Sequence, residues 1–135
     1  SSSAASDVYK RQVVVFINPQ KAQASQEGAV TVTATSNYVL DDSHNVDISI
    51  TAYVEYAYDE GAYGWVINII PQGWSKTSDN VTIDSMDYGG EYGYQTSTAV
   101  YGFRYTAHSF DIDYDGYVYF NFSVDEWGDI NYWLD

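Results

Sequence analysis

The chain of 135 residues contains no cysteine, so no disulfide staples it and no thiolate can act as nucleophile or metal ligand. Lysine and arginine together number 5 against 19 aspartates and glutamates, a formal charge of −14. That balance argues against nucleic acid and anionic membrane as partners, because both repel an acidic surface. No apolar run approaches the roughly 20 residues of a membrane-spanning helix. Methionine occurs once and leucine is scarce, whereas tyrosine occurs 15 times. Aromatic and β-branched residues favour strands over helices. The acid excess has a plain reading of its own: it keeps an edge-rich β protein soluble.

The first residues stand apart from the rest. Ser2 to Gln12, Ser-Ser-Ala-Ala-Ser-Asp-Val-Tyr-Lys-Arg-Gln, resembles translated transposase-adapter DNA from sequencing libraries. Residues 1–12 are therefore expected to be a non-native leader on a gene from an environmental or draft assembly, and carry no fold information. Val13 to Ile17 reads as the end of a signal-peptide apolar region. Asn18-Pro19 breaks it, and Ala22-Gln23-Ala24 is an A-x-A cleavage site. Residues 13–24 are thus expected to be a signal-peptide remnant, and residues 25–135 a single secreted or cell-surface domain. The other reading of Val13–Ile17 is an ordinary first strand.

From Ala29 onward short apolar and polar residues alternate with period two. Val30, Val32 and Ala34 mark a first strand, and residues 36–45 read as a polar loop containing His44. Val46 to Tyr58 alternates for a full strand, Asp59-Glu60-Gly61-Ala62 turns, and Tyr63 to Ile70 returns. The parity pairs Tyr58 with Tyr63, Tyr56 with Trp65, Val54 with Ile67 and Ala52 with Ile69. Residues 71–78 read as a loop, Val81 and Ile83 as a short strand, and residues 88–93 as a glycine-rich connection. Ala99, Tyr101, Phe103 and Tyr105 share one parity, while Thr106, His108, Phe110 and Ile112 share the other. Residues 94–113 are therefore one bulged strand or two strands. Val118, Phe120, Phe122 and Val124 face the core, and Tyr114-Asp115-Gly116 is read as a hairpin loop with Gly116 left-handed. That loop pairs Ile112 with Val118, Phe110 with Phe120 and His108 with Phe122. After the turn at 125–128, Ile130, Tyr132 and Leu134 form the last strand. Seven or eight strands without helical period predict an all-β antiparallel β-sandwich.

Three constellations could carry chemistry. Asp111-x-Asp113-x-Asp115-Gly116 begins like an EF-hand loop but has Phe122 where the bidentate glutamate belongs, and no helices flank it. Second, the turns 59–62, 87–93 and 125–129 would gather Asp59, Glu60, Asp87, Glu91, Asp125, Glu126 and Asp129 at one pole if residues 94–113 form one bent strand. Converging loop carboxylates suit a hard cation such as Ca²⁺; equally, turns simply favour acids. No cofactor is required by this reading. Third, Tyr53, Tyr117 and Tyr119 fall on outer strand faces, Trp74 and Trp127 in loops, and Trp133 against the core parity of its strand. Exposed rings beside carboxylates suit sugars, since a ring packs on C–H faces while acids and amides bind hydroxyls. Tyrosine also serves as an amphipathic sheet-former, and rings on both parities can mark a protein interface.

Catalysis finds little to work with. His108 shares the apolar parity of Phe110, no Ser/His/Asp grouping emerges, and nothing selects a glycosidase pair among Glu55, Glu60, Glu91 and Glu126. The expectation is a secreted, non-catalytic binding module for an extracellular glycan or protein. The alternative is a structural or inhibitory protein that docks a protein partner through its tyrosine-rich faces.

Overall fold

The computed structural model describes residues 25–41, 43–78, 80–107 and 112–135. Residues 1–24, read above as an adapter-like leader and a signal-peptide remnant, lie outside them, as do His108, Phe110 and Asp111. The described chain is all-β, with seven antiparallel strands: β1 (Gln26–Asp41), β2 (His44–Asp59), β3 (Tyr63–Thr77), β4 (Val81–Gly93), β5 (Thr96–Ala107), β6 (Ile112–Val124) and β7 (Ile130–Leu134). Two meanders stack as a sandwich, one sheet ordered β1-β2-β3 and the other β4-β5-β6-β7. This is the expected fold class.

The core lies where the two inner faces meet. Val46, Ile48, Ile50 and Val54 of β2 and Val118, Phe120 and Phe122 of β6 are all fully buried. The parities read for β2, for Val118 to Val124 and for Ile130 and Leu134 therefore hold. Burying each such side chain contributes roughly 1.5–3 kcal/mol.

Several boundaries and registers differ from the sequence reading. Tyr114-Asp115-Gly116 is no loop: β5 ends at Ala107, β6 starts at Ile112, and Phe103 stands opposite Gly116 in mid-strand. Gly116 is not left-handed. A Cβ on it would come within 2.4 Å of the Phe103 ring, so the glycine makes room for an aromatic across the ladder. Phe120 accordingly faces Ala99, and Phe122 faces Ser97. The described residues 96–107 and 112–113 thus belong to two different strands. Residues 36–41 are strand rather than loop, because Tyr38 and Leu40 carry the inner parity of β1 onward and pack against the core. His44 begins β2 and is only 2% exposed.

The β2–β3 hairpin exists with a shifted register. Asp59 opposes Tyr63, Ala57 opposes Trp65 and Tyr56 opposes Val66. The loop is 60–62, with Gly61 at φ 78° and the Ala62 N–H bonded to the Asp59 carbonyl (2.8 Å). A bulge then brings Val54 opposite Ile69. Trp65 therefore takes the outer face, and Ile67 is exposed in the bulge. Residues 71–77 continue β3 rather than looping, and residues 88–93 continue β4 through a bulge between Tyr88 and Glu91.

The sandwich protects one long edge. The Val66 N–H of β3 donates to the Tyr94 carbonyl (2.8 Å), and the Ile69 N–H donates to the Glu91 carboxylate (3.1 Å). The β4–β5 hairpin thus caps strand groups that would otherwise invite pairing with another chain.

Candidate binding surface

The outer face of the four-stranded sheet is built by alternation against the core. On β5, Tyr101, Phe103 and Tyr105 point inward, which sends Val100, Gly102 and Arg104 outward. On β6, Val118 and Phe120 point inward, so Asp115, Tyr117 and Tyr119 point outward; on β7, burial of Leu134 sends Trp133 outward. Tyr117 is 62% exposed, and its ring stacks beside Tyr119 with centroids 6.5 Å apart and planes inclined 25°. Trp133, 36% exposed, stands opposite Asn121 and is the diagonal neighbour of Tyr119. Three rings therefore run in file along one face.

Beside them the face dips. Gly102 opposes Tyr117 and has no side chain to fill the space, leaving a shallow depression of about 390 Å³ bordered by Ser85, Asp87, Arg104, Asp115 and Tyr117. The Arg104 Nε donates to Asp115 Oδ1 at 3.2 Å, with both side chains more than half exposed. Such a pair adds little stability, but it holds a forked donor at the rim. Below Trp133 the polar groups are already satisfied: the Thr98 hydroxyl donates to Asn121 Oδ1 (2.6 Å), and Asn121 Nδ2 donates to Asp135 (3.1 Å). The surface thus offers ring faces flanked by unburied donors and acceptors.

The six aromatic candidates separate. Tyr117, Tyr119 and Trp133 share this face. Tyr53 lies half-buried on the outer face of the other sheet, among Thr33, Thr35, Ser49 and Thr51, whose hydroxyls bond one another in pairs. Trp74 sits in β3 rather than in a loop. Trp127 occupies the turn after β6, with its ring edge above Gly61. Gly102 and Arg104 escaped sequence reasoning. The one available signal was a glycine at an outward position among alternating aromatics.

The acids separate too. The turns 59–62 and 125–129 do meet, joined by the Gly61 N–H bonded to the Glu126 carbonyl (3.1 Å) and by Tyr58, whose ring closes on Gly128. Asp59, Glu60, Asp125, Glu126 and Asp129 therefore share a pole. Asp87 does not join them, since it opposes Gly102 on the sheet face, and Glu91 caps β3. At the pole, Asp125 Oδ1 accepts the N–H groups of Trp127 (2.8 Å) and Asp129 (2.9 Å), and Asp59 accepts the Ser25 hydroxyl (2.8 Å). Among the described residues no three acidic or histidine side chains gather at metal-ligand spacing. The EF-hand-like run lies in β6 from Ile112 onward, where Asp113 and Asp115 are strand residues.

Four tyrosines, Tyr38, Tyr88, Tyr94 and Tyr101, are pushed above the ordinary range, Tyr38 and Tyr101 furthest. Burial first, and then the Asp135 charge, push Tyr38 up to about 12; its hydroxyl donates to the Asp135 carbonyl (2.9 Å). Burial first, and then Tyr88, push Tyr101 up to about 12. Neither adjoins the ring file as an acid or base for a bound ligand. No protein-family model matches the chain, and comparison with curated proteins and with solved structures returns no significant match.

Proposed function

We propose that this domain is a secreted, non-catalytic module that binds an extracellular glycan on the outer face of its four-stranded sheet. The observation that carries the reading is the file Tyr117, Tyr119 and Trp133 beside the depression at Gly102. A pyranose presents apolar C–H faces and an equatorial rim of hydroxyls. Ring faces cover the first, while Ser85, Asp87, Arg104 and Asp115 exchange hydrogen bonds with the second. No cofactor is needed. A net charge of −14 disfavours polyuronates and sulfated chains, so a neutral or amino-bearing glycan is the class that fits. Docking of a protein through the same rings would call for a continuous apolar patch, and the Arg104–Asp115 pair and Asp87 interrupt this one.

A glycan-array screen of the full chain, with and without Ca²⁺, tests the proposal. The expected result is retention of neutral glycans regardless of Ca²⁺. Retention only of polyanionic glycans, or of none, would overturn it.

A further inference from the structure

The depression beside the ring file is unbalanced in charge. Its rim holds two carboxylates, Asp87 and Asp115, against one guanidinium, Arg104. Arg104 is engaged by Asp115, with Nε 3.2 Å from Oδ1, so the negative charge left over belongs to Asp87. Alternation places it there. Met86 packs against the core, which sends Asp87 outward, and Asp87 stands opposite Gly102 on β5. The residue is exposed, and among the described residues no group bonds its carboxylate. Gly102 in turn stands opposite Tyr117, so a row Asp87–Gly102–Tyr117 crosses three strands. Two strand spacings put the acid and the tyrosine roughly 10 Å apart at the backbone, with no side chain between them. A Cβ on Gly102 would lie 3.7 Å from the Tyr117 ring, an ordinary contact. Packing therefore tolerates a side chain at that position, and what the glycine contributes is open space.

We propose that Asp87 makes this surface select glycans bearing a free amine, of the glucosamine type. The inference rests on the ring file as a glycan surface and names the substrate class of that surface. A pyranose seated on Tyr117 carries a ring substituent over Gly102, and the carboxylate beyond accepts a hydrogen bond from it. Hydroxyl, acetamide and ammonium groups can all donate. Only the ammonium also neutralises the charge that Arg104 leaves uncompensated, and its hydrogen bond is the stronger for being between ions. Both partners stay in contact with water, so the preference is severalfold rather than many orders of magnitude. The chain's overall charge of −14 attracts any cation from a distance. That attraction acts over the whole surface, whereas Asp87 acts at one point.

Titration calorimetry of the full chain with three oligomers of equal length and linkage tests the assignment. One is all glucose, one carries a single glucosamine, and one carries a single N-acetylglucosamine. The amine-bearing oligomer should bind about fivefold tighter than either of the others, the scale of one exposed ion pair. Asp87→Asn, which keeps the shape of the side chain, should bring the three affinities within about twofold of one another. Asp47→Asn removes the same charge from the outer face of the other sheet, where Asp47 is exposed, and should leave the preference intact. Should Asp87→Asn fail to fold, Gly102→Val, which fills the open space with a strand-favouring side chain, must abolish the preference in its place. Equal affinities in the parent chain would overturn the assignment and leave the ring file standing as a glycan surface. Failure of all three oligomers to bind would overturn it too, and the array then decides whether the ring file falls with it. Equal loss of preference in Asp47→Asn and Asp87→Asn would mean attraction by the whole surface, and would likewise overturn it.

Discussion

Tyr101 offers a perturbation whose sign is set by one atom. The residue is 4% exposed, its ring meets Tyr88 edge-on at 5.5 Å, and its hydroxyl finds no hydrogen-bond partner among the described residues. A buried hydroxyl left unpaired costs about 1–3 kcal/mol, so Tyr101→Phe, which keeps the ring, should stabilise the fold by roughly 1 kcal/mol at pH 7. The same substitution changes the alkaline limb. With the folded group raised from 10 to about 12, the unfolded chain releases this proton first. Stability is therefore intact below pH 10 and falls as pH rises toward 12, by on the order of 2–3 kcal/mol for a shift of this size. Tyr38, raised to about 12 as well, adds to the same loss. Urea melts at intervals from pH 7 to pH 12 should show Tyr101→Phe above the parent at neutral pH and losing stability less steeply above pH 10. A variant less stable than the parent by 1 kcal/mol or more at pH 7 would refute the reasoning, since the hydroxyl would then have to be satisfied.

Other expectations test the packing. Phe120→Ala should cost about 3–5 kcal/mol as a buried aromatic deletion, against about 1 kcal/mol for the partly exposed Tyr119→Ala, both read from urea melts. Gly116→Ala should lower the melting temperature because its Cβ meets the Phe103 ring, and Phe103→Leu should relieve part of that loss. A chain beginning at Ser25 should unfold at the same midpoint as the full chain; a clear drop would make Val13–Ile17 a strand of the fold. Millimolar Ca²⁺ should raise the melting temperature no more than Mg²⁺ does at matched ionic strength, whereas a larger rise would point to a site at the pole of Asp125 and Asp129.

What was legible in the sequence was parity. Period-two alternation marked the inward faces of β2 and β6, because burial in a two-layer fold acts on every second side chain. It also put Tyr117, Tyr119 and Trp133 on outer faces. What failed was the reading of turns. Asp115-Gly116 carries a strong local turn signal, yet the glycine lies in a strand because Phe103 needs its space, a requirement set across the ladder and invisible along the chain. The same holds for Gly28, where a Cβ would come within 2.5 Å of the Tyr56 ring. Residues 36–45, with Ser36, Asn37, Asp41, Asp42, Ser43, His44 and Asn45, looked like loop because Tyr38 and Leu40 are the only apolar pair left at the core parity there. The three-residue loop at 60–62 set Trp65 opposite Ala57 instead of Tyr56, enough to move it from core to surface, and bulges in β3 and β4 shifted the register again further along. Gathering of the rings depended on strand order, which alternation does not encode.

The ring file as a glycan surface is tested most directly by titration calorimetry of three alanine variants on the array-selected glycan. Tyr117→Ala and Trp133→Ala should each weaken binding about five- to tenfold, on the scale of about 1–1.5 kcal/mol for a lost ring contact, while Tyr53→Ala, on the opposite sheet, should leave it unchanged. Loss of binding in Tyr53→Ala with Tyr117→Ala and Trp133→Ala unaffected would contradict the assignment and move the site to the other face.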